Sequence, residues 1–148
     1  MNLIEITKEN WVKVVLLTTN ENGSHTLGEE FVASNAYSLV QSAFEPGWTT
    51  KAIEQDGTLI GFAMYGWCEE RSCYELCRFM LDRKAQGQGY GKQALSLIVQ
   101  EMKQQFGCEK IYLSIDPENH RGKHVYEQFG FVPTGDVWDD EEVFCLPL

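Results

Sequence analysis

The chain has 148 residues, enough for one domain, and 43% of them are hydrophobic, enough to fill one core. Acids outnumber bases 22 to 12, a formal net charge of −10. That balance argues against roles that depend on neutralising nucleic-acid phosphates. It favours a cationic ligand and equally serves plain solubility.

The opening residues, Met1-Asn2-Leu3-Ile4-Glu5, lack the basic start and long apolar core of an export signal. No apolar run approaches the roughly 18 residues of a membrane span. Five cysteines (Cys68, Cys73, Cys77, Cys108, Cys145) contain no C-x-x-C pair. Free thiols in a reducing cytoplasm are therefore expected, without a structural zinc.

Along the chain, residues 3–6 read as a short strand. Thr7 stands where a helix N-cap would, ahead of Trp11, Val14, Val15 and Leu17 at helical spacing. Residues 20–30 are polar and read as loop or broken helix, and residues 34–44 as a second helix stopped by Pro46-Gly47. The period then changes to two. Residues 49–55 and 59–68 predict a hairpin with Asp56-Gly57 at its tip, and residues 73–81 a third antiparallel strand.

Beyond Gly91, the residues Ala94, Leu95, Ile98, Val99, Met102 and Phe106 predict a long helix that ends at Gly107. A strand over residues 110–115, a helix over 119–129 stopped by Gly130, and strands over 131–137 and 143–146 complete the pattern. The order β-α-α-β-β-β-α-β-α-β-β requires one parallel crossover inside an otherwise antiparallel sheet. The expected fold is α/β: a mixed sheet with helices on both faces, one domain over residues 1–148.

The chemistry concentrates in Gln86-Gly87-Gln88-Gly89-Tyr90-Gly91-Lys92, between the third antiparallel strand and the long helix. Alternating glycines allow positive φ and close backbone approach. The helix behind them presents unsatisfied N–H groups and the positive end of its dipole, which suits a pyrophosphate. The segment is neither a G-x-G-x-x-G fingerprint nor a Walker loop.

Here the sequence resembles the GNAT acetyltransferases. Gln86-x-x-Gly89-x-Gly91 is similar to the family's Gln/Arg-x-x-Gly-x-Gly/Ala turn after the fourth strand. Downstream, the run from Asn119 through Tyr126 to Gly130 and Phe131 resembles its Asn-x-x-Ala-x-x-x-Tyr-x-x-x-Gly-Phe element, with Gly122 in place of the alanine. The resemblance implies a GNAT fold with a central parallel, splayed strand pair and acetyl-CoA as cosubstrate. Backbone groups of Phe79, Met80 and Leu81 would pair with the pantetheine arm. N–H groups of residues 86–92 would hold the pyrophosphate, Asn119 would contact the cofactor arm, and Tyr126 would lie near the thioester sulfur.

Acetyl transfer to an amine needs a proton acceptor, because a primary amine with pKa near 10.4 is charged at neutral pH. It also needs a donor for the leaving thiolate. Tyr126 is the candidate acid. Glu75 is the candidate base: it coincides with the glutamate that histone acetyltransferases of this superfamily use, and the two-residue period places it on one face with Cys77, Phe79 and Leu81.

Residues 59–66 and 30–37 are similar to diamine, spermidine/spermine and bacterial polyamine acetyltransferases, which implies a polyamine or diamine acceptor. Cys77 and Arg78 stand where the animal enzymes carry an acidic pair, and an arginine would repel a polycation. Glu29, Glu30, Glu69, Glu70 and Glu75 offer an alternative negative lining. Another small amine (amino sugar, antibiotic, peptide N-terminus) and a non-catalytic acyl-CoA sensor are the competing readings; Tyr126 with a complete turn argues against the sensor. His120 and His124 stand four apart, but no third ligand is evident, so no metal is expected. Trp48, Trp67 and Trp138 read as core or rim packing ahead of the alternative, stacking on an acceptor's alkyl chain. The resemblance suggests a homodimer, with the apolar last strand around Val143, Phe144 and Leu146 as its contact.

Overall fold

The computed structural model describes residues 1–20 and 34–148. Most of the polar stretch expected as loop, and Glu29, Glu30 and residues 31–33 of the polyamine-acetyltransferase resemblance, lie outside the described residues. Among the described residues, seven strands form one sheet: β1 (Asn2–Glu5), β2 (Trp48–Gln55), β3 (Thr58–Cys68), β4 (Cys73–Leu81), β5 (Lys110–Ile115), β6 (Val132–Trp138) and β7 (Glu141–Pro147). Four helices, α1 (Trp11–Val15), α2 (Asn35–Phe44), α3 (Tyr90–Phe106) and α4 (His120–Phe129), cover its faces. The strand order is β1-β2-β3-β4-β5-β7-β6, with only β4 and β5 parallel. This is the expected mixed, mostly antiparallel fold.

Local chemistry sets most element ends. Asp56 (φ +50°) and Gly57 (φ +78°) close the β2–β3 hairpin, and Asp139 (φ +48°) and Asp140 (φ +66°) close β6–β7. Two successive left-handed residues are what a two-residue hairpin turn requires. Ser34 caps α2 by accepting from the Tyr37 N–H at 3.0 Å. Thr7 does not cap α1: its hydroxyl accepts from the Glu9 N–H, its carbonyl takes the Asn10 and Trp11 N–H groups, and the helix starts only at Trp11. A 3-10 turn, Arg83–Ala85, which the sequence pattern did not mark, links β4 to the glycine-rich segment.

The β3–β4 register slips by one residue between Met64 and Tyr65, leaving Cys77 as the extra residue on β4. A bulge of this kind turns every later side chain to the other face. Leu76 therefore shares the α3/α4 side with Phe79 and Leu81, within the core built on Ile98, Met102 and Phe144. Cys77 and Met80 join Phe62, Met64 and Val14 on the α1/α2 side. Glu75, one residue before Leu76, faces away from Phe79 and Leu81, which corrects the expectation from the simple two-residue period.

The last strand differs too. β7 inserts between β5 and β6, so Val143, Phe144 and Leu146 are at most 7% exposed inside the chain's own core. They offer no contact to a second copy.

Candidate active site

β4 and β5 pair at a single register position, Glu75↔Tyr112, and diverge beyond it. β3 continues to pair with β4 as far as Leu81, and β7 with β5 as far as Ile115. The edges of β4 and β5 that face each other therefore keep unpaired backbone groups along a widening gap. A cleft of about 1840 Å³ runs through this gap; Glu75, Phe79, Met80, Leu81, Gly89, Asn119 and Tyr126 all line it. Candidate residues from β4, the glycine-rich turn and α4 are thus gathered along one cavity.

At one end lies the glycine-rich turn. Gly87 (φ +76°) and Gly89 (φ +78°) are left-handed, and nothing lies within 4 Å of a Cβ added at Gly89. No side chain caps α3, so the N–H groups of its first turn, Tyr90, Gly91 and Lys92, have no intrahelical acceptor. Open space, uncapped donors and the dipole of a 17-residue helix fit a pyrophosphate. Lys92, Arg83 and Arg121 line the same end of the cleft.

Two side chains of the turn are engaged in holding it. Gln86 Nε2 donates to Leu81 O at 3.0 Å, while its Oε1 accepts from Arg121 of α4 at 2.9 Å. Gln88 Nε2 donates to Lys84 O at 2.9 Å. The Tyr90 ring packs on the core. In this segment it is the backbone that is left to meet a ligand.

Asn119 Oδ1 caps α4 by accepting from the Gly122 N–H at 3.0 Å, while its Nδ2 donates to none of the described residues. The glycine in place of the family's alanine has a steric reason. A Cβ at Gly122 would lie 2.8 Å from Ile115 Cδ1 and 2.9 Å from Asn119 Nδ2.

Tyr126 is fixed by aromatic neighbours, Phe131 edge-on at 5.6 Å and Phe79 tilted at 6.4 Å between ring centroids. Its hydroxyl makes no hydrogen bond to the described residues. Burial, and then the Glu141 carboxylate, push its pKa well above the ordinary phenol value, so it stays a neutral O–H donor at any working pH.

Glu75 is 3% exposed. Burial raises its pKa above the usual carboxylate range, and the Arg71 guanidinium, with Nη1 3.5 Å from Oε2, opposes that rise. Cys77 is likewise pushed up to about 12 by burial, so its thiol is not a nucleophile at neutral pH. Arg78 folds back on its own strand, Nη1 lying 2.8 Å from Cys77 O and 2.8 Å from Cys77 Sγ.

Four residues that the sequence reading did not single out complete the wall. Glu141 on β7 accepts from the Ser114 hydroxyl of β5 at 2.6 Å. Its charge reaches both Glu75 and Tyr126, raising the pKa of each. Arg71 Nη2 pairs with Asp139 at 2.8 Å, and its guanidinium lies 4.7 Å above the Trp138 ring. No local pattern marks Glu141, Asp139 or Ser114, because the strand order alone sets β7 and the β6–β7 turn across β5 from β4, within reach of Arg71. Trp48 and Trp67 donate to Glu45 and Glu69 at the rim. Among the described residues, no three His, Cys, Asp or Glu side chains cluster as metal ligands.

The comparisons with known proteins agree with this geometry. Residues 15–131 match the model of the acetyltransferase (GNAT) family. A spermine/spermidine N(1)-acetyltransferase of Bacillus subtilis is 36% identical over 100 residues, covering 63% of this chain and 66% of that protein. The structure of a PaiA N-acetyltransferase from Thermoplasma acidophilum in complex with coenzyme A superposes with a TM-score of 0.72 at 17% identity, over 99% of this chain and 98% of that one. A spermidine N-acetyltransferase from Vibrio cholerae, solved with CoA and spermine, gives 0.70 at 16% identity over 97% and 92%. The chain therefore belongs to the GNAT acetyltransferase family, whose enzymes take their acetyl group from acetyl-CoA.

Proposed function

We propose that this acetyltransferase acetylates a primary amine of the polyamine or diamine class, spermidine and spermine being the acceptors to try first. The observation that carries the reading is a nearly buried carboxylate, Glu75, on the wall of a cleft whose other end holds left-handed glycines and a helix start without a side-chain cap, features that suit a pyrophosphate. The name of the 36% identical relative supports the acceptor class. Glu69, Glu70, Asp139 and Glu141 line the same cleft and favour a cation.

When bound, acetyl-CoA supplies the activated acetyl group and a thiolate leaving group. Glu75 accepts the ammonium proton, directly or through a water, and so frees the amine lone pair. Its raised pKa brings it closer to working pH than an exposed glutamate. Tyr126 donates from its hydroxyl to the departing sulfur. With a pKa above that of a thiol, it is better suited to stabilising the thiolate by a hydrogen bond than to giving its proton up completely. Phe79, Met80 and Leu81 offer backbone groups along the splayed edge, the N–H groups of residues 86–92 take the phosphates, and the Asn119 amide reaches the cofactor arm.

A second reading, acetylation of a different small amine, is favoured by Arg71 and Arg78, which put positive charge beside Glu75. Incubation with acetyl-CoA and an amine panel, following thiol release, separates the readings. Turnover of spermidine or spermine supports the first, and turnover of other amines alone supports the second. Tight acetyl-CoA binding without release for any amine would overturn both in favour of a sensor.

One catalytic domain over residues 1–148, working as a homodimer in the cytoplasm, completes the proposal. The five unpaired cysteines suit a reducing compartment. No described helix is long and apolar enough to cross a membrane.

A further inference from the structure

Glu75 is the least exposed carboxylate of the described chain, and burial by itself would keep it protonated and unable to accept a proton. Its surroundings come from five elements. The Cys68 thiol stands near it on β3, and Cys73, Cys77 and Arg78 flank it on β4. Tyr112 is its register partner on β5, and Glu141 faces it from β7 with a like charge. Arg71, from the β3–β4 connection, is the fifth contributor. Arg78 is turned onto its own strand, so Arg71 supplies the larger opposing charge.

The same guanidinium is fixed from the other hairpin. Asp139 takes Nη2, Trp138 lies beneath the plane, and Trp138 in turn packs on Tyr112 at 6.2 Å between centroids. Arg71 thus roofs the one position where β4 and β5 meet before they splay. Asp139 is 87% exposed on its side chain, so that pair is screened and contributes orientation more than energy. A planar fork over an aromatic ring suits arginine better than lysine, although both carry the charge.

The geometry points to Arg71 as the positioning residue for Glu75: clamped by Asp139 and Trp138, it orients the buried carboxylate and keeps it in the charged form. This rests on the reading of Glu75 as proton acceptor and goes beyond it by naming what makes that role possible.

Two readouts on the full-length protein test it. The first is the carboxyl 13C titration of Glu75, identified by its loss in Glu75→Gln, which needs no substrate. The second is the pH dependence of kcat/KM for spermidine. Losing an opposite charge at this distance should raise the Glu75 midpoint in Arg71→Gln by about one pH unit or more. The acid limb of kcat/KM should move up with it. Arg71→Lys, which keeps the charge, should restore most of the midpoint.

An Arg71→Gln protein that is less stable and slower at every pH, with the midpoint in place, would overturn the proposal and leave Arg71 a structural residue. A midpoint that moves while the rate limb stays would support the hold of Arg71 on Glu75. That result would remove Glu75 from the base role, so the two ideas fail separately. A midpoint that Arg71→Lys displaces as far as Arg71→Gln does would refute the role of charge.

Discussion

Leu76 and Phe79 lie three residues apart on β4 yet point to the same face of the sheet, because Cys77 is looped out between them. The bulge divides the labour of the cleft. Phe79 reaches across to Tyr126 on the α4 side, while Glu75 and Met80 are left on the opposite side with α1 and α2. Glu75 and Tyr126, proposed as proton acceptor and thiolate donor, thus approach the gap between β4 and β5 from opposite faces. An amine and a thioester brought in from those two faces would meet in the gap.

Tyr126→Phe should lower kcat by roughly 10- to 1000-fold, the scale of losing a positioned acid or donor. Phe79 and Phe131 hold a phenylalanine ring as well as a phenol, so Tm and the Kd for acetyl-CoA should barely change. Steady-state kinetics with calorimetric binding decides it, and an unchanged kcat removes Tyr126 from the role.

Glu75→Gln should trade activity for stability. The folded protein raises the pKa of Glu75, so the folded state binds that proton more tightly than the unfolded chain does. Its charge costs folding free energy once pH rises through that raised pKa. A neutral glutamine avoids the cost. Its Tm should exceed the wild type's near pH 8, and the gap should close as pH falls below the usual carboxylate value of about 4.3. In the same variant the pH–rate profile should move alkaline; an unaltered profile points to deprotonation by water alone.

Gln86→Ala removes the strut between the end of β4 and Arg121 of α4. Each lost hydrogen bond is worth about 1 kcal/mol. The Kd for acetyl-CoA should rise by roughly 5- to 30-fold if that loss falls on the bound state, with kcat at saturation nearly kept. A fall in kcat alone would contradict a role confined to shaping the turn.

Gly66→Ala and Gly89→Ala should differ sharply. Gly66 (φ +152°) pairs with both Trp48 and Glu75, and a Cβ there would land on the carbonyl oxygen of Gly47, deep inside van der Waals contact. The cost should be about 3 kcal/mol, a Tm loss of roughly 6–12 °C for a chain of this size. Gly89 has open space around it, so alanine there pays only left-handed strain of about 1–2 kcal/mol. Its effect should appear chiefly in acetyl-CoA affinity. Thermal melts and binding isotherms of the two variants make the comparison.

What the sequence determined by itself was local. Hydrophobic period and turn residues located every described strand and α-helix to within a few residues, since burial of one face repeats at a spacing that the chain must obey. The Asp56-Gly57 turn and the glycines around residue 89 were legible because left-handed backbone favours few residue types. The family motifs then singled out Asn119 and Tyr126, and the structure gathers them on one cleft with Glu75. Tertiary structure alone decided the rest. A one-residue register slip at Cys77 turned Phe79 and Leu81 away from Glu75, and no periodicity announces a bulge. Insertion of β7 between β5 and β6 buried Val143, Phe144 and Leu146 and brought Asp139 and Trp138 against Arg71, with Glu141 across β5 from Glu75. Those residues are about 60 positions from Glu75 in the chain; only the pairing of distant strands, whose free energy depends on the whole sheet, makes them neighbours.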